Sequence, residues 1–332
     1  VEATDSSVID ADAGSGALAV STGSSDDSRF GAIAVGAAAA RNEITKTTTA
    51  ELQNVDVTGE SAPDTPITTD VSVTASSTGS INAFTLGIAG SYTDSDSAAI
   101  SLAGSGSGNF ITSATTATIE SSEFDISGAM GLSATDSADI TATAGSGAVS
   151  IAVSDETNVG IGLGISVAEN DITSSALAII DDTTVNAGGA VSVIAASTAD
   201  INAKAYGVAL SIAISSDSDS AISVDGGVAV TLNTINMTTR AAIEDSNMAT
   251  VNTMTSGGAV TLSATDSGMI KADAVSVAAS IAIGSDSGSS ITGSVAVSYA
   301  ENSITSTAEA TIDSVDTTAQ GNVALTASSS KV

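Results

Sequence analysis

One short phrase, SSDSDS at Ser215–Ser220, carries two carboxylates, four hydroxyls and no counter-charge. Four more acidic phrases lie at the same phase of the chain: SSDDS with Asp26 and Asp27, TDSDS with Asp94 and Asp96, SDETN with Asp155 and Glu156, and SDSGS with Asp286. A hard cation takes several oxygen ligands from Asp, Ser and backbone carbonyls in turns. With Asp217 and Asp219 of SSDSDS, these residues form a candidate stripe of weak calcium sites. The same residues also suit solvated turns, where Asp and Ser satisfy local backbone groups and a charged corner discourages sideways sheet pairing. No stretch matches the twelve-residue Ca²⁺ loop or the glycine-rich nonapeptide repeat. Both readings stay open, and calcium is the only cofactor entertained.

Other chemistry finds less support. Asn42, Asn109, Asn170, Asn233 and Asn302 recur at one phase. An active site would want one special Asn, whereas five in a row suit a structural ladder at coil corners, bonding local backbone and the equivalent corners of nearby coils. GSGSGN (Gly104–Asn109) and GIGLG (Gly160–Gly164) superficially resemble phosphate loops. The first lacks the Lys and Ser/Thr of a P-loop, and neither opens a predicted helix. Paired-carboxylate hydrolysis needs an acid with a raised pKa in a cleft, and substrate-gripping aromatics are scarce. The seven basic residues, Arg29, Arg41, Lys46, Lys204, Arg240, Lys271 and Lys331, are scattered, and there is no His or Cys. Nucleophilic and soft-metal chemistry therefore lacks its usual players, and a non-catalytic protein is expected, with no catalytic residue assigned.

The elements that would carry these residues follow from composition. The 332 residues hold four Phe, three Tyr, no Trp and two prolines, yet 42% are hydrophobic. The core must therefore be thin and built from small side chains. Clustered β-branched residues argue against disorder. With 38 acidic against 7 basic residues, the net charge is −31. Nucleic acid needs a basic footprint that is missing, and a salty or cation-rich medium would relieve the self-repulsion. VEATDSSVID lacks the basic start and apolar stretch of a signal peptide. The longest apolar run, Gly31–Ala40, is about half of a membrane span, and seven aromatics cannot supply the girdles of a membrane barrel. The expectation is a soluble or surface-displayed chain, cut from something longer, with no membrane insertion.

The phrase ATDSSVI at Ala3–Ile9 returns as ASSTGSI from Ala75, ATDSADI from Ala134, AASTADI from Ala195 and ATDSGMI from Ala264, and begins again at Ala327–Val332. The spacings are 72, 59, 61, 69 and 63 residues. The chain therefore reads as one continuous segment of five repeats, 3–74, 75–133, 134–194, 195–263 and 264–326, with a sixth starting at 327–332. Extra length falls at Gly59–Asp70, with both prolines, and at Ser246–Gly258, which reads as one variable corner on a constant frame. Period-two runs such as AVSIAV and AVSVIA predict strands throughout. Equivalent strands stacked at about 4.8 Å predict an all-β parallel solenoid. Coils of roughly 20 residues would give about three per repeat and about sixteen in all, a rod of roughly 75–80 Å with acidic corners about 14 Å apart.

The stretches AAIEDS…GGAVTLSATDSGMIKADA and ALAIIDDTTVNAGGAVSVIAAS resemble the β-strand repeats of large bacterial filamentous surface proteins. These are the filamentous-haemagglutinin-like and leukotoxin-like filamentous adhesins, and the likeness covers essentially the whole chain. It implies a parallel β-helix stalk at a cell surface and transfers no catalytic residue. The sequence-level expectation is a structural extracellular fibre or stalk, partnered by copies of itself or by flanking repeats. The alternative is an adhesin or calcium-dependent binding module with a surface or glycan partner.

Overall fold

The computed structural model describes residues 1–22, 31–57, 69–94, 97–216, 220–245, 252–285 and 288–332, and these form an all-β parallel solenoid. The first coil consists of β1 (Glu2–Ser21), β2 (Ala32–Gln53) and β3 (Asp56–Val57). The second is β4 (Val71–Thr93), β5 (Ala98–Glu120) and β6 (Glu123–Ile126), and the third is β7 (Met130–Ser154), β8 (Asn158–Asp181) and β9 (Thr184–Ala187). The fourth is β10 (Val191–Ser215), β11 (Ala221–Glu244) and β12 (Thr253–Ser256); the fifth is β13 (Val260–Ile283), β14 (Ser290–Asp313) and β15 (Asp316–Ala319). Strand β16 (Val323–Lys331) begins a sixth.

Equivalent strands stack in parallel into three sheets: a first broad sheet β1-β4-β7-β10-β13-β16, a second broad sheet β2-β5-β8-β11-β14, and a narrow sheet β3-β6-β9-β12-β15. Each coil runs out along the first broad sheet, turns at a tip, returns along the second and closes through the narrow one. Each repeat is thus one coil, not three. Strands of up to 25 residues are about 80 Å long at 3.3 Å per residue. Six strands of the first sheet stack over only about 29 Å. The molecule is a slab whose long axis lies along the strands, rather than a rod of sixteen small coils. The expected coils of roughly 20 residues fail because the glycine and asparagine phrases do not turn the chain. GSGSGN lies inside β5 and GIGLG inside β8, where unbroken alternation keeps the backbone extended.

The pairing register joins each residue to its repeat equivalent: Ile81 with Ile140, Ile140 with Ile201, and Ile111 with Ile172. First-sheet strands from β4 onward begin four residues before the repeat phrase, as with Val71 and Ala75. The two longer connections fall at different corners. Residues 58–70 join β3 to β4, whereas 245–252 join β11 to β12, and Thr253–Ser256 of the second stretch is itself a strand. The single variable corner is therefore corrected to two.

The interior is layered along the strands. At the base, where three sheets meet, Leu132, Ile180, Phe124, Val193 and Ile243 are buried with their stack neighbours. Farther out, Ile81, Ile140 and Ile201 of the first sheet pack with Ile44, Ile111, Ile172 and Ile235 of the second. Toward the tip the apolar residues that remain inside are alanines such as Ala89, Ala103, Ala148 and Ala209. There the sheets lie so close that a Cβ at Gly87 would overlap the carbonyl oxygen of Gly104. The corner between the second and narrow sheets uses Asn54, Ser121, Asp182 and Ser314 at positive φ. Asn and Asp tolerate that region better than most residues. The N–H groups of Asn54, Ser121 and Asp182 bond the carbonyls of Glu120, Asp181 and Glu244 in the next coil.

Candidate functional site: internal ladders and the acidic corner

The five asparagines form one continuous ladder. Each Nδ2 donates to the next Oδ1: Asn42 to Asn109 at 2.8 Å, Asn109 to Asn170 at 2.9 Å, Asn170 to Asn233 at 2.8 Å and Asn233 to Asn302 at 2.8 Å. They sit in mid-strand on the inner face, not at coil corners, and bond side chain to side chain. Stacking at one coil spacing suits an amide, which has both donor and acceptor and can repeat the same bond indefinitely.

The acidic corner joins the two broad sheets at the tip. Asp26, Asp27, Asp96, Asp217, Asp219 and Asp286 lie outside the described residues. Asp94, Asp155 and Glu156 lie within them and are exposed. In the third coil the Ser154 hydroxyl donates to Asn158 Oδ1 at 3.1 Å and accepts from the Glu156 N–H at 3.3 Å. The Asn158 amide donates to the Ile214 carbonyl of the next coil at 2.6 Å. Successive corners are also tied directly, through Asp94 N–H to Ser21 O and Ser216 N–H to Ser154 O. Neighbouring corners are therefore one strand spacing apart, about 4.8 Å, and the expected separation of about 14 Å is overturned. Among the described residues no three Asp or Glu side chains gather as a metal site would require.

A second row of acids lies inside the slab. The third residue of each repeat phrase points inward and alternates down the stack: Asp5, Ser77, Asp136, Ser197, Asp266, Ser329. Alternation keeps carboxylates two coils, or about 10 Å, apart. Asp136 is fully buried, accepting from Ser113 at 2.7 Å, Thr115 at 3.1 Å and Ser174. Lys46 enters the same layer; burial lowers its pKa, and Asp136 and Asp5 partly restore it. The stack position that holds Ser113 in the second coil holds Met237 in the fourth, and neither oxygen of buried Asp266 has a protein partner. Near the tip, Asp225 accepts from the backbone N–H and hydroxyl of Ser211, both at 2.8 Å. Burial still pushes its carboxyl above the usual range, against the lowering effect of those bonds. Asp225 also occupies the space a Gly162 side chain would take. The sequence held the Asp/Ser alternation, but its meaning depends on knowing which parity faces inward.

Outside, Asp139 and Asp200 are register partners on adjacent coils. Desolvation first, and Asp200 second, raise the Asp139 carboxyl. A raised folded-state pKa in an acid gives stability that is fullest when protonated and is lost as pH rises through it. Asp200→Asn should therefore stabilise the chain at pH 7 by a few tenths to about 1 kcal/mol, the scale for like charges directly opposite on neighbouring strands. The gain should fade below the usual Asp range and in high salt. Urea melts at pH 7 and pH 3 check this.

A shallow groove of about 450 Å³ follows the corner of the narrow sheet, lined by Asp56, Ser121, Glu123, Asp182, Thr184 and Asn252. It is polar and acidic. Among the described residues the basic side chains in ion pairs are Arg41 with Glu43 and Arg240 with Glu244 and Glu309. Comparison with family models, with curated proteins and with solved structures finds no match.

Proposed function

We propose that this chain is a structural, non-catalytic segment of an extracellular or cell-surface fibre or stalk, whose partners are copies of itself or flanking repeats. The observation that carries this reading is the asparagine ladder, which runs through all five coils without a break. Coils that repeat the same internal bond provide stiffness by stacking and single out no position for chemistry. Electron microscopy of native material tests it. Long uniform fibres with a width near the strand length, about 80 Å, are expected; isolated short rods with distinct tips would contradict it and favour an adhesin stalk.

A second reading has one observation behind it. Corners stacked at about 4.8 Å put the strand ends that flank these acidic phrases one spacing apart, a separation that a shared divalent cation could bridge, and net charge −31 favours one. On this reading millimolar Ca²⁺ raises the melting temperature, and Asp217→Asn with Asp219→Asn removes the rise. A melting curve indifferent to Ca²⁺ would sink it.

A further inference from the structure

In the tip half of the slab the usual polarity of a fold is inverted. In the second to fourth coils the inward rows there hold Ser150, Ser211, Ser223, Asp225 and small residues, all buried. Outward rows hold the aliphatics. On the first broad sheet β10 presents Tyr206, Val208, Leu210, Ile212 and Ile214, and β13 presents Val275, Val277, Ile281 and Ile283. On the second, β8 presents Val159, Ile161, Leu163, Ile165 and Val167, and β11 continues with Ile222, Val224, Val228 and Val230. Many are open to solvent: Val208 is 44% exposed, Val277 50%, Val295 63% and Ile33 62%. Toward the base the same outward parity turns polar, as in Thr135, Ser137, Asp139 and Thr141 of β7.

We infer that each apolar tip face docks against the matching half of a second copy of this chain, so that slabs laminate face to face. Each face spans five outward positions along the strand and five strands, about 33 by 24 Å, or roughly 800 Å². That is the area one partner contributes to a stable interface of standard size, and well above the scattered apolar exposure of a monomer. Along both apolar bands the register carries no charge: Val20, Tyr92, Ile151, Ile212 and Ile281 form one column, and Ile33, Ile100, Ile161 and Val224 another. Side-chain heights also alternate, since Gly145 and Gly147 of β7 lie between Leu86 and Ile88 of β4 and Tyr206 and Val208 of β10. Ridges beside grooves let two such faces interdigitate. A lipid bilayer is the less fitting cover, because the tip beyond the band carries Asp94, Asp155 and Glu156, which would have to cross hydrocarbon. Face-to-face docking leaves those carboxylates in water at the rim. Because both faces are apolar, pairing through one leaves the other free, and association continues.

The inference rests on the structural reading above, and its test is separable from it. Sedimentation of the full chain should show species that grow with concentration. Val208→Glu with Val277→Glu, both outward on the first face, should stop growth at a dimer. Adding Val228→Glu and Val297→Glu on the second face should leave a monomer whose circular dichroism matches the parent. Because the chain has no Cys, Val208→Cys alone should form intermolecular disulfides, and Thr198→Cys on the polar half should not. This arm works even where the charged variants fail to fold. A folded parent monomeric at tens of micromolar, association unchanged in the four-site variant, or equal disulfide yields would overturn lamination. So would a monomer that floats with phosphatidylcholine vesicles through these faces. A folded monomer would leave the single-slab stalk standing; only the native material lacking fibres would remove that.

Discussion

Replacing Gly207 by alanine should keep the two broad sheets from closing at the tip, with a loss of about 3 kcal/mol or more in denaturant melts. A Cβ there would overlap the carbonyl oxygen of Val228 and lie 2.7 Å from its carbonyl carbon and 2.9 Å from its nitrogen. Ordinary overpacking costs about 1–3 kcal/mol, because side chains can move aside. Here the obstacle is backbone held by hydrogen bonds to strands on both sides, so the upper end or beyond is expected. Gly36 against Ile88, Gly164 against Val208 and Gly227 against Val277 meet the same kind of barrier, and equivalent substitutions should rank with Gly207. Gly147 is the control. It points outward in β7 with nothing within 4 Å of its missing Cβ, and Gly147→Ala should be neutral or stabilise by about 0.5–1 kcal/mol through backbone entropy. Equal costs at Gly207 and Gly147 would contradict the close sheet approach.

Asn170→Ala should cost about 3–5 kcal/mol, far more than Asn302→Ala at the end of the same ladder. The middle rung both accepts from Asn109 and donates to Asn233, and all three are buried. Its removal strands one donor and one acceptor away from water, at about 1–3 kcal/mol each, and leaves a cavity. Asn302 only accepts, and it is exposed; its loss should cost about 1 kcal/mol or less. Asn170→Asp should also be costly, because a carboxylate can accept from Asn109 but offers no proton to Asn233 Oδ1. A flat profile along the ladder, read from urea midpoints, would show that the rungs do not act through their neighbours.

Much of this architecture is visible in the residues. Repeat phrases returning every 59–72 residues, with alternation of period two, lead directly to stacked parallel strands, and Asn at a fixed phase leads to a ladder. What the residues did not disclose is where the chain turns. Gly160, Gly162 and Gly164 superficially resemble a phosphate loop, yet all share one parity, with Ile161, Leu163 and Ile165 on the other. Alternation that crosses a glycine phrase without slipping is the mark of a continuing strand, and it runs the full length of β8. Glycine usually bends a chain, whereas here it lets two sheets approach, and so a repeat expected to hold about three coils holds one. The buried Asp136 and Asp266 were hidden for a related reason. Charge in a strand ordinarily faces water, and only the register shows that these two face inward on the row shared with Ser77 and Ser197.

One repeat makes one coil, so that residues 61 apart in sequence sit side by side in the third and fourth coils. Ser137 and Thr198 are such register partners on adjacent strands of the first broad sheet, and both point outward. With no native cysteine to interfere, nitroxide labels can be placed at Ser137→Cys and Thr198→Cys. The expected spectrum is strongly broadened by dipolar coupling, as for labels on backbones about 4.8 Å apart. A spectrum equal to the sum of the two single-label spectra, with a pair distance corresponding to a backbone separation of about 14 Å or more, would contradict the one-coil repeat.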